Sequence, residues 1–210
     1  MDTASIEAHD RDMMLRAIAL STKSGEAGEY PYGVVICRGG VVVAESINRV
    51  KHDGDVTRHA EIVAISAAQK ALRNTSLDDC VIYVNAEPCA LCCYAIRESR
   101  IGRVVYGLYS PHMGGRSKWN VLADEDISRV MPEVFAPPPA IVGGFMAREA
   151  QDALFKLDPL VCEVMKERGL FVTDMPKSGR LWGWRLPFVR LPEWLMAFLR
   201  RTFFDRFGRR

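Results

Sequence analysis

The sequence predicts an α/β domain, a three-layer α/β/α sandwich around a mixed five-stranded sheet. Residues 34–37 (Val-Val-Ile-Cys) and 41–43 (Val-Val-Val) flank Gly39-Gly40, which is the pattern of a tight hairpin. Apolar strand-like runs at 80–84 and 103–108 alternate with helical stretches at 59–72 and 90–99. Strands that alternate with helices of this length build a sheet covered on both faces.

The elements follow in chain order. Residues 5–24 place Ile6, Met13, Met14, Ala17, Ile18 and Leu20 among polar residues, an opening helix that ends near Gly25. A loop over 25–30 leads into the hairpin. The stretch 59–72 is rich in alanine, carries Ile62, Ile65 and Leu72, and is too long for a strand, so it reads as a buried helix. Strand 80–84, helix 90–99 and strand 103–108 come next, then a loop with Gly114-Gly115 that runs toward Trp119. Pro137-Pro138-Pro139 forms a hinge before a last strand at 140–142, and a helix over 147–157 closes the domain at Asp158-Pro159.

With 210 residues, the chain holds one ordinary domain, read as residues 1–158, and an appendage, residues 159–210. Hydrophobic residues at 49% and charged residues at 26% exclude a disordered or low-complexity protein. No run approaches the roughly 18 apolar residues of a membrane span. The acidic start lacks the basic and greasy segments of a signal peptide, so the expected address is cytoplasmic. Six unevenly spaced cysteines do not form the framework of a small secreted domain. Three of them, Cys89, Cys92 and Cys93, fall within five residues and ask for a metal or a redox role.

The formal charge of +2 hides a split. Residues 177–210 hold nine bases against Glu193 and Asp205, a balance of +7, which leaves the body at −5. That tail also holds Trp182, Trp184 and Trp194, and from Leu191 its apolar residues recur at helical spacing. A basic amphipathic helix fits a groove of its own domain, an anionic membrane surface or RNA phosphates, and the first is favoured.

The chemistry lies in two short strings, His59-Ala60-Glu61 and Glu87-Pro88-Cys89-Ala90-Leu91-Cys92. One histidine and two cysteines supply the ligand set of a catalytic zinc that keeps a fourth position for water, one Zn2+ per chain. Cys89 and Cys92 are three apart where a helix should begin, and the exposed N–H groups of a helix start favour the thiolates a metal needs. Glu61 stands two residues from a ligand in the first turn of the same helix, and only at a helix start does that spacing let a carboxyl reach toward the metal. A lone Cys-x-x-Cys also occurs in redox sites and zinc ribbons. No second pair exists for a ribbon, and a redox site has no use for His59 and Glu61.

His59-Ala60-Glu61 followed by Pro88-Cys89-x-x-Cys92 resembles the signature of the zinc-dependent cytidine deaminase superfamily, nearest the tRNA-specific adenosine deaminases and their nucleobase and nucleoside deaminase relatives. The likeness covers about residues 6–157 and extends to Asn48, to Glu87-Pro88-Cys89 and to the stretch Ser99-Arg100-Ile101-Gly102-Arg103-Val104-Val105-Tyr106-Gly107. It implies a cytidine deaminase-like fold, zinc on His59, Cys89 and Cys92, and proton transfer by Glu61. It further implies a base oriented by Asn48 and by the backbone N–H of Ala60, and a homodimer.

Two departures bear on substrate. The loop 108–119 lacks the aspartate-containing, Gly-Ala-rich run of tRNA deaminases, and Arg58 replaces the small residue usually found before the histidine. With an acidic body, these favour a free nucleobase or nucleoside as substrate. Adenosine in tRNA is the alternative, with the tail on phosphates, and a non-catalytic zinc domain that recruits a partner through its tail is a third reading. Trp119 and His112 are read as packing and solvated residues, and Cys93 as a small core residue.

Overall fold

The computed structural model describes residues 3–175 of the chain, so the predicted amphipathic helix and basic cluster beyond 176 lie outside the described residues. The elements are α1 (Thr3–Glu26), β1 (Gly33–Arg38), β2 (Val41–Ile47), α2 (Val50–Asp53), α3 (Ala60–Leu72), β3 (Cys80–Ala86), α4 (Ala90–Glu98), β4 (Arg103–Leu108), α5 (Glu125–Val130), β5 (Ala140–Gly143), α6 (Ala147–Leu157) and α7 (Pro159–Glu167). A single 3-10 turn at Val121–Ala123 precedes α5. The strands order as β2-β1-β3-β4-β5. The first two pairings are antiparallel and the last two parallel, which makes the five-stranded sheet mixed, as the sequence predicts.

Strand side chains alternate between two cores. Val34, Ile36, Ile82, Val84, Val104 and Tyr106 face α3 and α4, whereas Val35, Cys37, Tyr83 and Val105 face α1 and α6. Burial on both faces is why these strands read as continuous apolar runs and not as an alternation of apolar and polar residues. The hairpin turns at Gly39 and Gly40 with φ of 54° and 81°, the paired positive values that a two-residue turn matched to strand twist demands. In α3, Ala60, Ala64 and Ala68 recur every four residues with no exposed surface, so the helix backbone lies close against the sheet.

Three features differ from the sequence expectations. The short α2 shows no periodic signal because its four residues span barely one turn, and its Lys51 and His52 amides are satisfied by a carboxylate from the loop after α1. The excursion 121–136 is organised by Arg97 of α4, which is 1% exposed and donates to the carbonyls of Val121, Asp124 and Ala136 and to the hydroxyl of Ser128. The domain boundary expected at 158 also falls inside the compact unit, which continues to Met175. Asp158 ends α6 and then caps α7 by accepting from the Val161 amide at 3.0 Å, with Pro159 in the first helical turn. The chain next pairs Val172 with Tyr109. Among the described residues, no helix is long and apolar enough to cross a membrane.

Asp10 links α1 to the sheet. It is 4% exposed and accepts from the Tyr83 hydroxyl at 2.7 Å and from the Arg103 guanidinium at 2.9 Å. Burial raises its pKa, but the bonds from Arg103 and Tyr83 outweigh that and hold the carboxyl below its ordinary value. The native state therefore binds fewer protons than the unfolded chain. This contribution is intact above the ordinary carboxylate pKa and is lost as pH falls through the native-state value. Urea midpoints taken at intervals from neutral to acid pH should show Asp10→Asn less stable near neutrality by about 2 kcal/mol, with a shallower decline in acid than the parent.

Candidate active site

The site forms where the N-termini of α3 and α4 converge. His59 is the N-cap residue of α3 and Cys89 that of α4; both have extended backbones, and neither side chain caps its own helix, so both are free to face outward. Cys92 lies in the first turn of α4. The three donors meet: His59 Nδ1 is 3.5 Å from Cys89 Sγ and 3.3 Å from Cys92 Sγ, and the two sulfurs are 3.6 Å apart. Ligands at zinc bond lengths in a tetrahedron are about 3.4–3.8 Å from one another, so the spacing and the nitrogen and thiolate chemistry both fit this metal. Among the described residues, this is the cluster able to hold a metal ion.

Electrostatics favour the same assignment. Contact with the Cys92 thiol, aided by His59, brings the Cys89 thiol down to about 4, while its sulfur partner and burial push Cys92 up. The two sulfurs thus compete for a single negative charge. A dication between them removes that competition and stabilises both thiolates. His59 is raised by its bond to Cys89.

Glu61 is 5% exposed in the first turn of α3. Burial, with the Cys89 charge adding to it, raises its carboxyl to about 7. Ala60 is fully buried, and its N–H belongs to the first helical turn, where no intrahelical acceptor exists. Asn48 is 1% exposed at the end of β2 and donates its backbone N–H to Tyr32 at 3.3 Å. Tyr32 packs against the core, where burial raises its phenol and the charges of Glu61, Cys89 and Cys92 raise it further. Sequence reasoning missed Tyr32. It also missed Glu29, whose carboxylate holds the Asn48 side chain at 3.0 Å. An acid in a glycine-bearing loop carries no local mark of such a role.

Glu87 shapes the other wall. It is 4% exposed, and its two oxygens accept from the amides of Ser110, Arg116 and Ser117 and from the Ser117 hydroxyl, at 2.6–3.0 Å. Gly114 lies so close that an added Cβ would stand 2.2 Å from Glu87 Oε1. The departed loop 110–117 is therefore bound to the residue that precedes Pro88-Cys89. The segment after α7 adds to this side, with Phe171 edge-on to Tyr32 at 6.2 Å and Met175 Sδ 3.6 Å from the Ser117 hydroxyl. Arg58 is held to Asp53 at 3.1 Å, and His112 is exposed as the sequence reading has it, whereas Trp119, read as a packing residue, is 60% exposed and meets the Lys118 ammonium over its ring.

The cytidine and deoxycytidylate deaminase zinc-binding region matches residues 7–108. A tRNA-specific adenosine deaminase of Aquifex aeolicus is 31% identical over 134 residues, which cover 57% of this chain and 89% of the relative. The chain belongs to the zinc-dependent cytidine deaminase superfamily. Within it, the match lies in the branch of tRNA and nucleobase deaminases. A guanine deaminase of Bacillus subtilis is 41% identical over 92 residues, 43% of this chain and 59% of the relative. A structure solved in studies of A-to-I editing by tRNA:A34 deaminases superposes with a TM-score of 0.61 at 32% identity, over 68% of this chain and 99% of the other. The superfamily domain also lies within longer proteins: the chain spans 22% of a tRNA(Ile)-lysidine synthase of Deinococcus radiodurans, at 34% identity over 138 residues, 65% of this chain.

Two outcomes follow for the site. Cys92→Ser should lower zinc content from one equivalent to well under half, measured by elemental analysis after dialysis, and chelator should lower the thermal midpoint of the parent but not of the variant. Glu87→Ala strands three backbone amides and should destabilise the fold by about 3 kcal/mol in urea titrations while leaving the zinc donors in place.

Proposed function

We propose that this chain is a hydrolytic deaminase that removes an exocyclic amino group from a purine or pyrimidine nucleobase or nucleoside and releases ammonia. The observation that carries the proposal is a buried carboxyl, Glu61, on the same helical turn as His59, which sits 3.3–3.5 Å from two thiols. Zinc, when bound to His59, Cys89 and Cys92, supplies the Lewis acidity that makes water nucleophilic at neutral pH.

The protein's own residues perform the rest. Glu61 accepts the proton of the attacking water, protonates the ring nitrogen beside the reacting carbon, and delivers a proton to the departing amine. A carboxyl raised toward neutrality by burial suits a group that must both take and give. The amide of Ala60 and the side chain of Asn48 hold the polar edge of the base. Ala60, Glu61 and Asn48 are all buried, so these dipoles act at low dielectric.

The altered loop and the acidic body favour a free base or nucleoside. Adenosine in tRNA is the second reading. It draws on the Aquifex aeolicus relative, of which this chain covers 89%, and on the basic residues after 176. Salt separates the two readings, because an RNA substrate loses affinity steeply as salt rises whereas a neutral base does not. The test is ammonia release by zinc-loaded protein from adenine, guanine and cytosine, their nucleosides, and unmodified tRNA. Glu61→Gln should keep its zinc and lose about 100-fold to 10,000-fold in kcat. Retained turnover in that variant, or silence of the parent across the panel, would remove the proposal.

A further inference from the structure

We infer that Glu29 is a positioning residue for catalysis: its carboxylate fixes which atom of Asn48 the substrate meets, and so sets the donor and acceptor pattern by which this site reads a base. The inference rests on the deaminase reading above and adds a residue to it.

Glu29 follows α1 in the loop before β1 and is 6% exposed. Its Oε1 accepts from the His52 amide at 2.6 Å, and its Oε2 accepts from the Lys51 amide at 3.1 Å and from Asn48 Nδ2 at 3.0 Å. A carboxylate offers acceptors only, so the Asn48 amide must turn its nitrogen toward Glu29. The Asn48 oxygen has no hydrogen-bond partner among the described residues, yet it is not among the buried polar atoms that lack one. It therefore keeps a trace of accessible surface although the residue as a whole is 1% exposed. The backbone on either side is held as well, by Asn48 N–H on Tyr32 at 3.3 Å and by Arg49 N–H on the Arg58 carbonyl at 3.0 Å, one residue before His59.

On the deaminase reading, in which Asn48 meets the base, the consequence is a fixed acceptor toward the substrate. A free asparagine presents oxygen or nitrogen with little preference, because a half-turn about its last bond exchanges them. With Glu29 in place the exchange would set an oxygen against a carboxylate and leave a donor without its acceptor. The site then favours a base whose facing edge carries an N–H. Glutamine at 29 has one acceptor oxygen where glutamate has two, and cannot serve Asn48 and both α2 amides together.

A double-mutant cycle on full-length, zinc-loaded protein tests this. Glu29→Gln should lower kcat/KM about tenfold to 100-fold for the best base of the panel and narrow the discrimination among adenine, guanine and cytosine substrates. In an Asn48→Ala background the same change should have an effect of less than about twofold. If Glu29 serves only to brace the loop, Glu29→Gln lowers the thermal midpoint while its kinetic effect is the same in both backgrounds, and that result overturns the inference while leaving the deaminase reading intact. A parent protein that neither turns over nor binds any base of the panel removes both. Should Glu29→Gln fail to fold, nitrogen-resolved NMR of the parent decides: a protected, slowly rotating Asn48 side-chain amide supports the inference, and one that exchanges and rotates like a free asparagine overturns it.

Discussion

Two helices that begin at the same place impose a problem of charge, and much of the molecule is arranged around it. The first turns of α3 and α4 point unsatisfied amides and the positive ends of their dipoles into one small volume. Helix starts of this kind are usually quieted by a capping side chain, yet His59 and Cys89, which occupy the cap positions, turn their side chains away from their own helices. The electrostatic demand is met instead by thiolate and carboxylate groups. Burial would make those groups unfavourable elsewhere; here the amides and a metal offset it.

Packing and chemistry share residues at this junction. The alanine stripe of α3 brings that helix close to the sheet, and the same closeness places Glu61 where water scarcely reaches. Cys93, next to a metal ligand, is fully buried and approaches the Pro88 carbonyl at 3.4 Å. Gly115 lies over it, where a Cβ would stand 2.3 Å from the Cys93 sulfur. Core, ligand turn and loop form one continuous contact.

The parts legible in the sequence are those written in local spacing. The hairpin shows in two glycines between apolar runs, the metal-binding cluster in a three-residue interval at a helix start, and the buried carboxyl of Glu61 in its place two residues from the histidine. What escaped were partnerships across long stretches of chain. Glu29 acts on residues about twenty positions away, and Arg97 on a carbonyl thirty-nine positions on. Neither leaves a periodic trace, because a buried carboxylate or guanidinium serves whichever amides or carbonyls the fold delivers to it. Asp158-Pro159 illustrates a different loss: the pair that ends one helix also starts the next, and reading it only as a stop set the domain boundary too early.

Glu87 grips its loop mainly through main-chain amides, which every residue but proline possesses. Apart from the glycine pressed against the carboxylate and the serine whose hydroxyl joins in, the side chains of that segment are left out of the agreement that gives it shape. Such a wall can change its surface lettering over generations while its curvature stays the same. A lineage can thus explore new molecules to recognise without first rebuilding the frame that carries the metal.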